Sequence, residues 1–223
     1  MGRNKLARFA DNQVAYNVLQ RGKPQYETIR GNWQQTYFHN TNPIVLELAC
    51  GRGEYTVALA EKFPEQNFIG VDIKGARLWK GSQLCLQKGL RNAAFLRAQI
   101  QNIEQFFAPG EVSEIWLIHP DPRPKDGDER RRLTNQRFLQ HYRHIGKPGM
   151  WLRLRTDSAQ LFHYTIEVLQ SENITDLSYT EDLYHSPLIA DHLDINGAPI
   201  RTKYEEMFVA KGHKIHYLKC RLW

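Results

Sequence analysis

The sequence predicts an α/β chain whose mostly parallel, seven-stranded sheet carries helices on both faces. Two observations predict it. From residue 44 onward, short apolar runs alternate with longer stretches of helical spacing. Strands separated by helices of such length imply right-handed crossovers and a parallel sheet. In addition, 223 residues suffice for one sizeable domain with a hydrophobic core, and leave little room for a second.

Each element has its own signal. Residues 1–43 are polar and basic and end in Asn40-Thr41-Asn42-Pro43, a turn-rich junction. They are expected to form a partly flexible N-terminal extension, with the main domain over 44–223. Residues 44–49 read as a buried strand and 55–63 as a helix stopped by Pro64. A strand at 67–73 leads to a helix at 76–88, ended by Gly89. A strand at 93–98, a short helix at 101–107 and a strand at 113–119 follow. Residues 130–145 have helical spacing and stop before Gly146-Lys147-Pro148-Gly149. A strand at 150–156 and a helix at 158–170 complete the alternation. The tail offers strands at 174–180 and 214–222, with a helix at 202–211 between them.

Composition excludes several classes. A 41% hydrophobic and 24% charged chain is ordinary globular material. Apolar runs such as Ile115-Trp116-Leu117-Ile118 are far short of the ~20 residues needed to cross a bilayer. The basic N-terminus has no apolar segment of a secretory signal. Cys50, Cys85 and Cys220 form no metal-binding spacing, which fits a reduced, cytoplasmic protein without a structural metal. The charge is segregated. Residues 1–30 carry a net +4 and residues 123–155 a net +7, which leaves −5 for the remainder of a +6 chain. Such segregation into two basic runs points to a polyanionic partner.

A wound sheet binds its ligand outside the carboxyl ends of its strands. The candidate residues therefore lie at strand ends. Glu47-Leu48-Ala49-Cys50-Gly51-Arg52-Gly53 joins the first strand to the first helix, and Gly51 and Gly53 permit a tight turn with close backbone approach. Asp72, at the end of the second strand, can accept hydrogen bonds from both ribose hydroxyls. A nicotinamide cofactor is the rival. Its third glycine is replaced by Thr56, and Glu47 would repel a pyrophosphate. S-adenosylmethionine has no phosphate and carries an ammonium and a sulfonium, so an acidic residue favours it.

The fourth strand runs into His119-Pro120-Asp121-Pro122-Arg123-Pro124-Lys125. Alternating prolines fix φ and push the preceding residues towards extended geometry, predicting a stiff ledge. If the ledge is β-like, Asp121, Arg123 and Lys125 point to one side. A carboxylate for a base edge and cations for phosphates suit an RNA nucleotide. His119 reads more readily as a packed or solvated residue than as a catalytic base.

Pro120-Asp121-Pro122-x-Pro124-Lys125 followed by Arg130-Arg131-Arg132-Leu133 resembles the signature of the bacterial tRNA (guanine-N7)-methyltransferases. The 47–53 loop is similar to that family's cofactor loop, and Asp72 matches its ribose-binding acid. Thr156-Asp157 and Thr202-Lys203-Tyr204-Glu205 match two further motifs, and Arg3 to Phe9 looks like the N-terminus of some members. The resemblance implies a Rossmann-like class I S-adenosylmethionine-dependent methyltransferase that acts on N7 of a guanine, in the variable loop of tRNA. It implies cofactor contacts at Glu47, Gly51, Gly53, Asp72, Gln99 and Asp121. It implies substrate contacts at Lys125, Asp157, Thr202, Lys203, Tyr204 and Glu205. Arg123, Arg130, Arg131 and Arg132 are expected to hold RNA phosphates, together with the N-terminal extension, and Asp121 to serve in catalysis. Three positions depart from the family. Arg123 stands where it usually has Trp, Gln99 replaces an acid, and Ala49 replaces the loop's first glycine, a change tolerated if φ there is negative.

Two of these matches have structural readings as well. Thr202-x-x-Glu205 is a capping box, and Asp157 could cap the helix that follows it. Two other functions stay open: a methyltransferase of another substrate, and a non-catalytic RNA-binding scaffold. No metal-ligand spacing occurs among the nine histidines.

Overall fold

The computed structural model describes residues 2–210 and 212–222, with side chains from Lys5 onward. The side chain of Arg3 and residue Lys211, where the helix at 202–211 was expected to end, lie outside the described residues.

In chain order the elements are α1 (Gly2–Val14), β1 (Val18–Leu19), β2 (Ile44–Leu48), α2 (Glu54–Lys62), β3 (Asn67–Val71), α3 (Gly75–Lys88), β4 (Ala93–Leu96) and β5 (Val112–Ile118). They continue with α4 (Gln136–Ile145), β6 (Gly146–Thr156), α5 (Ala159–Gln170), β7 (Ile174–Thr180), α6 (Lys203–Val209) and β8 (His216–Leu222). The sheet runs β1-β4-β3-β2-β5-β6-β8-β7. The first six pair in parallel, and β8 lies antiparallel between β6 and β7.

All residues of β2, β3 and β4 are buried. Helices cover both faces, so these strands read as continuous apolar runs without alternation. On one face Leu46, Ile69 and Leu117 meet Phe138 and Leu139 of α4 and Leu161 and Phe162 of α5. On the other, Val45, Phe68 and Phe95 meet Tyr55 and Val57 of α2 and Leu78 and Cys85 of α3.

Four expectations are corrected. The sheet has eight strands; the extra one, β1, is two residues long and too short to show periodicity. The first 43 residues do not stand apart from the domain. Val18 and Leu19 pair with Phe95 and Leu96. Trp33 is fully buried, stacks 5.4 Å from Phe107 and donates its indole N–H to the Phe106 carbonyl. The expected helix at 130–145 splits into a 3-10 turn, Asp126–Arg131, and α4. Thr134 is buried against Thr165, and the Asn135 side chain caps α4 by accepting from the Arg137 N–H at 3.1 Å. Finally, Gly146 to Gly149 belongs to β6, not to a connection, and an irregularity near Val112 absorbs the extra residues. Most other boundaries shift by one or two residues, as helix and strand ends do.

From β2 the chain winds to β3 on one side, while β5 lies on the other. The carboxyl ends of β2 and β5 therefore border the crevice where such sheets bind ligands.

Candidate functional site

A cleft of about 900 Å³ opens over these strand ends. Its floor is the turn from β2 to α2. Gly51 adopts φ +56°, and the space where a Cβ would stand is open. Asp72 sits beside it, 8% exposed. One carboxylate oxygen accepts from the Gly51 N–H at 3.0 Å and the other from the Lys74 N–H at 2.7 Å. A carboxylate has about four lone-pair sites, so two hydroxyls can still be received. An open glycine turn beside a fixed carboxylate fits a nucleoside ribose.

Glu47 lines the cleft from beneath but is only 5% exposed. One oxygen accepts from the Thr56 N–H at 2.7 Å and from the Thr56 hydroxyl. Burial pushes its pKa up to about 8, against the Thr56 hydrogen bonds that lower it. The floor is thus less acidic than the sequence suggests, because Glu47 keeps a proton at neutral pH until a cation stands next to it. Ala49 has φ +59°, so the condition of a negative φ fails and the residue is strained. Gly53 does not line the cleft. Its φ is +69°, and a Cβ would lie 2.5 Å from the Phe95 ring, so packing requires this glycine. Gln99 is exposed, accepts from the Gln101 side chain at 3.0 Å and is likewise not part of the lining.

The ledge after β5 forms the opposite wall, with Asp121 and Arg123 in the lining. It is not a regular strand. His119 and Arg123 take φ +46° and +48°, which breaks the expected alternation. Arg123 folds back so that its Nε lies 3.2 Å from Asp121 Oδ2, while its N–H donates to Oδ1 at 3.2 Å. Lys125 is exposed at the start of the following 3-10 turn and is not part of the lining. Of the arginine run, Arg130 is exposed, and Arg131 pairs with Asp128 at 2.9 Å while remaining largely exposed. Arg132 cannot serve as expected. It is 5% exposed, donates to the Arg123 carbonyl at 3.1 Å and lies over the Tyr164 ring at 4.3 Å.

The third side is built by the end of β6 and by α6. Asp157, Thr202, Lys203 and Tyr204 line the cleft. Ser158, not Asp157, caps α5, accepting from the Leu161 N–H at 3.2 Å. Asp157 is left to meet His119 at 3.2 Å and the Tyr204 hydroxyl at 3.4 Å. Only half of the capping box forms. Thr202 accepts from the Glu205 N–H at 3.1 Å, but the fully buried Glu205 side chain turns inward to Arg155, Tyr184 and His119. Glu205 therefore stands behind the wall of the cleft and not in it.

Sequence reasoning missed Arg155. It is fully buried at the end of β6 and donates to Tyr55, Tyr184 and Glu205. An Arg in an alternating strand gives no sequence signal of burial. Arg8 of α1 reads in the sequence only as one cation among several, yet it lines the cleft with its guanidinium 4.9 Å from the Trp79 ring. With Arg52, Lys74, Arg77, Lys80 and Lys203, it gives the acidic floor a cationic rim.

A protein-family profile described as putative methyltransferase matches residues 41–218. A tRNA (guanine-N(7)-)-methyltransferase of Cytophaga hutchinsonii is 47% identical over 221 residues, covering 98% of this chain and 97% of the relative. One of Bacteroides thetaiotaomicron is 45% identical over 226 residues, covering 100% and 87%. Among solved structures, a 16S rRNA (adenine(1408)-N(1))-methyltransferase from Catenulisporales acidiphilia with its cosubstrate SAM superimposes with a TM-score of 0.61. It covers 94% of this chain and 95% of that one at 15% identity, which speaks to the fold alone.

Proposed function

The chain belongs to the tRNA (guanine-N(7)-)-methyltransferase family, and from that premise we propose that its cleft transfers the methyl group of S-adenosylmethionine to N7 of a guanine in tRNA. The observation that carries the reading is the arrangement of one cleft: an open glycine turn with a fixed Asp72 on one side, the Asp121 ledge on the other, and a cationic rim around both.

S-adenosylmethionine supplies an electrophilic methyl group on a sulfonium that is already a good leaving group. Asp72 would hold the ribose hydroxyls, and the Gly51 turn leaves room for the backbone to approach them. Glu47, beneath the turn, would offer its carboxyl group to the cationic end of the donor. Guanine N7 is an acceptor with a free lone pair on the Hoogsteen edge, so no general base is required. What the protein provides is alignment, which can be worth roughly 7–11 kcal/mol of the barrier. Asp121 exchanges its contact with Arg123 for the N1–H and amino donors of the guanine. There it stabilises the positive charge that the purine acquires. Tyr204, exposed and facing the same space, offers a ring surface for a base withdrawn from the RNA fold. Arg130, Arg131 and the rim cations engage phosphates.

The decisive experiment incubates the protein with unmodified tRNA and labelled cofactor and maps the methyl by aniline cleavage at 7-methylguanosine. Cleavage at one variable-loop guanine is expected. Label that resists aniline, or label on another substrate only, would overturn the reading.

A further inference from the structure

Where the ledge meets the α6 side of the cleft lies a charge cluster, with His119 and Asp157 in the lining and Glu205 behind them. His119 follows β5 with its side chain 5% exposed. Its Nδ1 is 3.2 Å from Asp157 Oδ1 and its Nε2 is 3.2 Å from Glu205 Oε2. A neutral imidazole has one N–H and can serve one of these carboxylates; the other would face a lone pair. The imidazolium donates to both. The helix on the far side of this contact is short: α6 has seven residues, and its one buried side chain, Glu205, is shared between His119 and the Arg155–Tyr184 pair, with Val209 packed at its other end. Yet that helix, with its cap, brings Thr202, Lys203 and Tyr204 to the cleft.

We propose that His119 is a positioning residue of the tRNA site, a protonated pin that ties the ends of β5 and β6 to α6 and loosens the α6 side of the cleft when it gives up its proton. That the substrate is tRNA rests on the functional reading above; the pin itself rests on geometry. The groups facing the ring are Asp157 and Arg155 from the end of β6 and Glu205 and Tyr204 from α6, with His192 also close enough to feel its charge. Burial alone would lower the His119 pKa. The hydrogen bonds to Asp157 and Glu205, then the charge of Glu205, outweigh burial and the opposing Arg155 and raise it above the ordinary 6.5. The pin therefore stays set to a higher pH than a free imidazole would, and opens as pH rises through that raised value.

The test measures KM for tRNA and kcat at saturating cofactor between about pH 6 and pH 9, for the wild type and for His119→Gln, which keeps one hydrogen bond and cannot be charged. In the wild type KM should rise about tenfold as His119 deprotonates, the equivalent of one charge-assisted hydrogen bond. The kcat should change far less. In His119→Gln, KM should be high and flat, while cofactor binding keeps the wild-type pH dependence. A second arm follows amide-exchange protection of Lys203–Val209 in the wild type, which should fall over the same pH range. A flat wild-type KM, an unchanged profile in His119→Gln, or constant α6 protection would each overturn the proposal. If the wild type leaves tRNA unmethylated, the functional reading fails, and the exchange arm still decides the pin. The same arm decides it if His119→Gln does not fold.

Discussion

Ala49 holds a backbone conformation, φ +59°, that glycine adopts freely. For an L-residue it costs about 1–2 kcal/mol, while the extra unfolded-state freedom of glycine offsets roughly 0.4–1 kcal/mol of any gain. Ala49→Gly should therefore stabilise the protein by up to about 1 kcal/mol, seen as a higher urea midpoint with unchanged slope. Glu47 makes a second prediction. With its pKa pushed up to about 8 by burial, it is protonated in the free protein, and a cation beside it favours the charged form. Cofactor binding should thus release a proton, and affinity should rise with pH up to about 8. Calorimetry in buffers of different ionisation enthalpy reads this directly; no proton release would separate Glu47 from the donor. Asp121→Asn should cut turnover by at least tenfold, roughly the 1.4 kcal/mol of one charge interaction, and leave cofactor affinity nearly unchanged. These three positions were legible in the sequence as strand-end residues. Their states were not: φ at residue 49 and the solvation of Glu47 depend on how α2 packs over the turn.

Residue roles at α6 depend on how the element is held. Glu205 and Arg155 face each other with both side chains closed to water. Breaking such a buried pair by removing one partner costs about 3–5 kcal/mol. Glu205→Ala should accordingly lower stability by that order, far beyond what removal of a helix cap would do (about 1 kcal/mol). The pH dependence follows from the signs. The contribution of His119 is complete below 6.5 and is lost as pH rises through its raised folded pKa. Those of Asp157 and Glu205 are complete above 3.8 and 4.5 and are lost as pH falls through their lowered folded values, where the His119 hydrogen bonds outweigh burial. Glu47 adds a separate decline between 4.5 and about 8, so the informative quantity is the difference between wild type and His119→Gln. That difference should be largest between about pH 4.5 and 6.5 and shrink above it. The sequence showed α6 as a capping box because Thr202 and Glu205 have the spacing. It could not show that Arg155, 50 residues earlier, claims the Glu205 side chain. The same limit explains the expected helix at 130–145: hydrophobic spacing continues through Leu133, but the Thr134–Thr165 contact and the Asn135 cap end it.

Across the whole molecule, charge could be counted from the sequence but not sorted by burial. The +7 of residues 123–155 includes Arg132, Arg153 and Arg155, all of which are spent inside the fold. The cations left for a polyanion include Arg130, Arg131, Arg137 and those on the rim, where Arg8 arrives from an N-terminal helix that docks on α3 through Asn12 and Asp11. This sorting predicts two arginines that behave in opposite ways. Removing a cation that meets one phosphate should reduce the slope of log affinity against log salt by roughly 0.7–0.9. Arg8→Gln should show that reduction and a weaker tRNA affinity at low salt. Its effect on stability should stay within the ~0.5–1 kcal/mol of a cation–π interaction with the half-buried Trp79. Arg132→Gln should do the reverse. Its guanidinium donates to the Arg123 carbonyl and covers Tyr164, so the salt slope should be unchanged while the unfolding midpoint falls. Wild-type salt slopes in both variants would mean that neither cation meets a phosphate, and Arg8 would have no part in gripping the RNA. A reduced slope for Arg132→Gln alone would mean that the ledge opens on binding and frees a cation that the fold now holds.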